Sequence, residues 1–230
     1  MAYVFLQCGD ETCRLRFPAA AAEVAGLACP RCHGPLAVAA VVERARLTAV
    51  SAWSGPPLIA LLDNLRSIHT AGSMFRTADG AGVEHLHLIG ITATPAQPRL
   101  AKAALGSHQA VGWTYHRHGP DAAARLRDAA YRVWGLERTA DPSPQPSLYE
   151  AEPPSGPLAL IVGNERAGVD PALLALCDGV FSLPMTGGKS SLNVAVAFGI
   201  AVYHLRFGAK EEEGHGDHGE AQRNTEKEQV

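Results

Sequence analysis

Four of the chain's five cysteines stand at Cys8, Cys13, Cys29 and Cys32, spaced C-x4-C, fifteen residues, C-x2-C. Tetrahedral Zn2+ takes four thiolates from two tight turns, and this spacing is close to that of a zinc ribbon. In a reducing compartment the thiols would not persist as disulfides, so metal explains them better than cross-links do. Reduced cysteines without a ligand are the alternative. A second group lies in Leu183 to Val196, LPMTGGKSSLNVAV, where Gly187-Gly188-Lys189-Ser190 reads like the end of a phosphate-binding loop. That loop requires glycine five residues before Gly188 so that successive N–H groups can wrap a phosphate chain, and Leu183 stands there. The pattern therefore argues against nucleotide hydrolysis. It leaves a glycine turn between an apolar strand and a long apolar helix, rich in small polar side chains.

The elements that must carry these residues follow from the hydrophobic pattern. After a linker containing Gly55-Pro56-Pro57, β-type apolar runs fall at about 58–62, 85–89, 112–116, 132–136, 158–162 and 179–183. Helical patterns fit 71–80, 99–105, 121–130, 171–177 and 191–207. Such alternation predicts an α/β domain around a largely parallel sheet, whose ligand crevice lies beyond the carboxyl ends of the strands. Residues 141–157, with six prolines, read as a long loop. Cys177, in the run LLALC, reads as core.

At 230 residues and 47% apolar composition, the chain suits one sizeable domain with an appendage. The organisation expected is a cysteine module over residues 1–40, a linker over 41–57, the α/β domain over 58–208 and an acidic tail over 209–230. A segment of forty residues has too little core to fold unaided, so bound metal would supply its folding energy. The tail holds seven acids and three bases, which accounts for the net charge of −3 and leaves +1 on the rest. It reads as solvated, disordered chain without chemistry. No segment approaches the roughly 18 apolar residues of a membrane span and no secretory leader is evident, so a cytoplasmic protein with no membrane partner is expected.

Three segments carry a family resemblance: LLDNLRSIHTAGSMFRTADGAGVEHLHLIG at 61–90, LALIVGNERAGVDPALL at 158–174 and FSLPMTGGKSSLNVAVAFGIAVYHL at 181–205. Together, and with KAALGSHQAVGW after the second strand, they resemble the three ordered motifs of the SpoU/TrmH-type RNA ribose methyltransferases of the SPOUT class. The resemblance implies a C-terminal trefoil knot that binds S-adenosylmethionine, a homodimer with an active site shared between subunits, and structured RNA (tRNA or rRNA) rather than DNA as partner. It assigns catalytic roles to Arg76, Asn64, Glu165, Ser191 and Asn193, and cofactor contacts to Gly163, Asn164, Leu183, Met185, Gly188 and Leu192. One position departs from the pattern: Thr70 stands where relatives usually have asparagine, keeping a hydroxyl but losing an amide that both donates and accepts.

The chemistry of these residues can be argued beside the resemblance. Ribose 2′-O-methylation requires a weakly acidic hydroxyl to lose its proton while attacking a sulfonium methyl in line, so positioning and charge stabilisation dominate. Arg76, permanently charged, suits phosphate orientation and electrostatic support better than proton abstraction. Its alternative is an ion pair with Asp79 one turn on. Glu165 beside Arg166 reads alternatively as a solvated turn, and Ser191 as a helix cap. Arg14, Arg16, Arg31, Arg44, Arg46 and Lys102 are candidates for a basic face that grips RNA phosphates. Thr70 and the acidic balance also allow a second reading, an RNA-binding protein that keeps the fold without turnover.

Overall fold

In a computed structural model the described residues are 2–42, 55–138 and 145–208, and they divide into two compact units, within residues 1–51 and 52–230. Arg44, Arg46, the acidic tail and most of the expected linker lie outside them.

The first unit is a three-stranded antiparallel sheet in the order β2-β1-β3, from β1 (Tyr3–Cys8), β2 (Arg16–Ala20) and β3 (Leu36–Val42). Expected to end at residue 40, the module continues further, because β3 pairs with β1 as far as Val42 opposite Tyr3. Its buried apolar residues among those described are Val4, Leu6, Cys8 and Cys29, so two of the four are sulfur groups.

The second unit is α/β. Its strands are β4 (Leu58–Asp63), β5 (His85–Ile89), β6 (Gly112–His116), β7 (Arg132–Leu136), β8 (Leu158–Val162) and β9 (Gly179–Phe181), in the order β6-β5-β4-β8-β7-β9. Every pairing is parallel. The central strands are continuous apolar runs because both faces are covered. Leu58, Ala60 and Leu62 of β4, with Leu160 and Val162 of β8, face a core shared with α1 (Ile68–Ala81) and α6 (Val194–Phe207), centred on Phe75 and Phe198. Ile59, Leu61 and Ile161 point the other way, toward Ala123 of α4 (Gly119–Asp128) and Leu173 of α5 (Pro171–Leu174).

Two short helices, α2 (Pro98–Ala104) and α3 (Ser107–Ala110), lead into edge strand β6. The last strand stops at Phe181 rather than 183, and α5 at Leu174 rather than 177. The expected start of the long helix at Ser191 is also corrected: α6 begins at Val194, and Asn193 caps it by accepting from Ala195 N at 2.9 Å. Within the proline-rich stretch, a 3-10 turn at Leu148–Glu150 buries Leu148 completely and fastens to Ser182 through Leu148 N–H. Among the described residues no helix is long and apolar enough to cross a membrane.

Candidate functional site

In the first unit the four cysteine Sγ atoms lie within 4.8 Å of one another. Cys8 and Cys32 are 3.4 Å apart and Cys13 and Cys29 3.7 Å. A tetrahedron with Zn–S of about 2.3 Å has edges of about 3.8 Å, so the thiols fit that ion with little adjustment. Both cysteine turns end on a left-handed residue, Arg14 (φ 45°) after Cys13 and His33 (φ 60°) after Cys32. The two turns thus bring their sulfurs inward alike. Burial raises the Cys29 thiol, but hydrogen bonds from the backbone of Cys32 and Arg31 outweigh it and hold the group at about 7. One ligand is therefore readily available as thiolate.

In the second unit, β8, β7 and β9 end side by side, and the segments that follow them line a cavity of about 380 Å³. This size suits a small-molecule ligand. After β8, Gly163 and Asn164 turn back so that Asn164 and Gly168 exchange two backbone hydrogen bonds, of 2.9 and 3.0 Å. A side chain on residue 163 would run into the backbone of Gly168 and Val169, so only glycine permits this fold-back. Asn164 Oδ1 accepts from Arg166 N and Ala167 N, while its Nδ2 donates to Asn64 O at 2.6 Å.

Three carboxylates hold this turn in place. Glu165 accepts from Arg66 N at 2.9 Å and Ser67 N at 3.1 Å, covering the otherwise unpaired amides at the entry to α1. Partial burial raises its carboxyl group, but these two N–H groups outweigh the effect and hold it below the ordinary carboxylate range. Glu137 accepts from Val169 N and Arg138 N, both at 2.8 Å. Asp63, 2% exposed, accepts from Asn64 Nδ2 at 2.7 Å and Asp170 N at 2.9 Å; burial raises its carboxyl group above the usual range.

Of the residues singled out from sequence, Gly163, Asn164, Glu165, Leu183, Met185, Ser191, Leu192 and Asn193 line the cavity. Asn64, Arg76 and Gly188 do not. Asn64 takes a left-handed conformation (φ 52°) below the turn, with its amide held by Asp63 and by Ile91 N. Arg76 is exposed on α1 with no ion pair among the described residues, and Asp79 instead accepts from Ser107 Oγ at 2.9 Å. Gly187 and Gly188 keep negative φ angles and have open space around them, so the turn does not depend on their being glycine. Thr70 lies in the first turn of α1, its N–H capped by Ser67 Oγ at 3.2 Å. Lining residues that the sequence did not disclose include Leu136 at the end of β7, Glu137 and Arg138 just after it, and Arg166. Arg138 reaches across the cavity's edge, donating from Nη1 to Ser190 O at 3.2 Å.

Comparison with known proteins fits this geometry. A 23S rRNA (guanosine(2553)-2′-O)-methyltransferase, RlmP, of Bacillus subtilis is 39% identical over 148 residues, which cover 64% of this chain and 57% of that protein. The chain thus spans less than two thirds of that relative's length. A tRNA (guanosine(18)-2′-O)-methyltransferase of Thermus thermophilus is 31% identical over 164 residues, covering 71% of this chain and 81% of that one. Among solved structures, an AdoMet-bound rRNA methyltransferase from Sinorhizobium meliloti superposes with a TM-score of 0.60 at 26% identity, covering 70% of this chain and 60% of the other. The sequence profile of the SpoU rRNA Methylase family matches residues 57–203, from the start of β4 to the last turns of α6. With the parallel sheet, the folded-back turn after β8 and the cavity all inside that span, the chain belongs to the SpoU rRNA Methylase family.

Proposed function

We propose that the chain transfers a methyl group from S-adenosylmethionine to a ribose 2′-hydroxyl of structured RNA, tRNA or rRNA. The observation that carries this reading is the convergence of three separated segments, at residues 136–138, 163–168 and 182–197, on one cavity in a chain of this family. When bound, S-adenosylmethionine supplies an electrophilic sulfonium methyl. Gly163, Leu183, Met185 and Leu192 hold the cofactor by wall contacts and backbone groups. Ser191 and Asn193 present a hydroxyl and an amide at the same wall. Asn193 Oδ1 already accepts from Ala195 N, so its Nδ2 is the group left to face a ligand. Glu165 acts through position: anionic and committed to the amides of Arg66 and Ser67, it fixes the entry of α1 against the turn after β8.

Arg76 orients the ribose phosphate and supports charge as the hydroxyl loses its proton. Because it stands outside its own chain's cavity, this role belongs to a homodimer in which one subunit's Arg76 serves the other's site. Val196, Tyr203 and Phe207 support such a dimer: spaced seven and four residues apart, they share one side of α6 and are 51%, 47% and 59% exposed. The trefoil knot belongs to the same reading, as the 182–193 segment leads from β9 at the sheet's edge back to α6 against α1. In the first unit Cys8, Cys13, Cys29 and Cys32 hold a structural Zn2+ in a reducing, cytoplasmic setting, and Arg14, Arg16 and Arg31 on that unit contribute to RNA grip. The test is transfer of labelled methyl to RNA, followed by mapping of 2′-O-methyl positions in cells with and without the protein. Cofactor binding with no transfer to any RNA would overturn the reading.

A further inference from the structure

The charges around the cavity are not equivalent. Glu137 and Glu165 line it, yet each gives both carboxylate oxygens to backbone N–H groups, so neither has an oxygen without a partner. The two guanidinium groups on the same lining, Arg138 and Arg166, are committed far less. The Arg166 side chain has no ion pair among the described residues, while Arg138 spends one N–H on Ser190 O. That single bond anchors Arg138 between the end of β7 and the segment leading into α6. Its backbone is fixed too, since Arg138 N donates to Glu137 Oε1. An arginine offers five N–H donors in a rigid planar fork and cannot be discharged at any working pH. Held across the edge of a cavity whose acids are already paired, such a group attracts a negatively charged oxygen pair.

We infer that Arg138 is a further binding residue of this cavity: it braces the segment before α6 through Ser190 and receives an anionic oxygen group of the bound ligand on its remaining donors. This rests on the functional reading above, which brings two anions to the site, the carboxylate of S-adenosylmethionine and the phosphodiester of the RNA. They share the planar or tetrahedral oxygen geometry that a guanidinium fork accepts.

Calorimetric titration of the full chain and of Arg138→Gln separates the two sources. The ligands are S-adenosylmethionine, 5′-methylthioadenosine (which lacks the amino-acid carboxylate) and a structured tRNA at several salt concentrations. If the carboxylate is held, Arg138→Gln weakens S-adenosylmethionine binding about tenfold or more, the scale of one charge-assisted hydrogen bond, and leaves 5′-methylthioadenosine unchanged. Arg138→Lys then restores part of the loss. If the phosphate is held, affinity for the tRNA falls instead and its dependence on log salt becomes shallower by about one phosphate contact. Unchanged affinity for both S-adenosylmethionine and tRNA overturns the inference. An unsubstituted chain that binds neither ligand would overturn the functional reading and this inference with it.

Discussion

Asn164 Nδ2 donates to the backbone carbonyl of Asn64 at 2.6 Å, across one hundred residues of sequence. The bond joins the turn after β8 to the turn after β4, and Asp63 extends it by holding both the Asn64 amide and Asp170 N. The turn after β8 that lines the cavity is thus held from beneath by a hydrogen-bonded unit in which side chains satisfy backbone groups on neighbouring segments.

Replacing Asp63 by Asn tests that unit. An amide at this buried position turns an NH2 group toward either Asn64 Nδ2 or Asp170 N, both of which donate. One donor is left unpaired, at a cost of about 1–3 kcal/mol. Denaturant unfolding should show that loss, with weakened cofactor binding. A variant as stable as the original chain would remove Asp63 from this role.

Arg76→Ala should abolish methyl transfer while leaving S-adenosylmethionine affinity within about twofold, because the side chain lies outside the cavity and removes only support for the reacting charge. Co-refolding it in equal amounts with an inactive Asn193→Ala chain should recover about a quarter of full activity. Half the dimers are then mixed, each with one intact shared site. No recovery would mean that each site is built from a single subunit.

The cysteine module should hold one zinc ion per chain, and Cys29→Ser with Cys32→Ser should lose it. With so few buried apolar groups, the first unit should unfold when chelator strips the metal, while the parallel sheet of the second stays folded. Metal analysis and circular dichroism check both outcomes. Metal-free protein with an intact first unit would contradict them.

Acid should weaken the fold through β5 and β6. His87 Nδ1 lies 2.8 Å from His116 Nε2, its ring is 4.7 Å from that of His85, and burial together with these two neighbours lowers it to about 4. Burial also lowers His116, helped by Arg125 of α4, and lowers His85, helped by His116. In the unfolded chain histidine takes its proton near 6.5. Between about 6.5 and 4 the unfolded state therefore binds protons that the folded state refuses, so the histidines make stability fall as pH falls, and their contribution levels off below 4. His87→Gln should flatten that slope in thermal unfolding followed across this range.

Most of the sheet was legible because buried parallel strands leave unbroken apolar runs, such as LALIV at β8, that no surface element imitates. The short helix α3 was not, since four residues carry no helical period. Asp63 was hidden at the end of LIALLD: nothing in the spacing announces that its carboxylate is paired with an amide one hundred and seven residues away. Glu137 and Arg138 were missed for a related reason. Their roles rest on contacts with backbone groups, which any sequence supplies, so neither residue type nor period marks them. Gly188 is the converse case, a glycine conspicuous in the sequence with no steric need to be one in the fold.

The pairing of β4 with β8, Leu58 opposite Leu158, has a consequence for how the protein is made. On a ribosome the first strand of the domain meets β5 early but must wait for a hundred residues of synthesis before β8, its neighbour on the other side, exists. The helix that covers both, through Phe198, Ala201 and Val202, arrives later still. Until then the apolar side of β4 and β5 has α1 against it but lacks α6. Nascent chains stalled before α6 should accordingly be the species that chaperones retain, and slowing translation ahead of residue 194 should lower the yield of folded protein more than slowing it after residue 207.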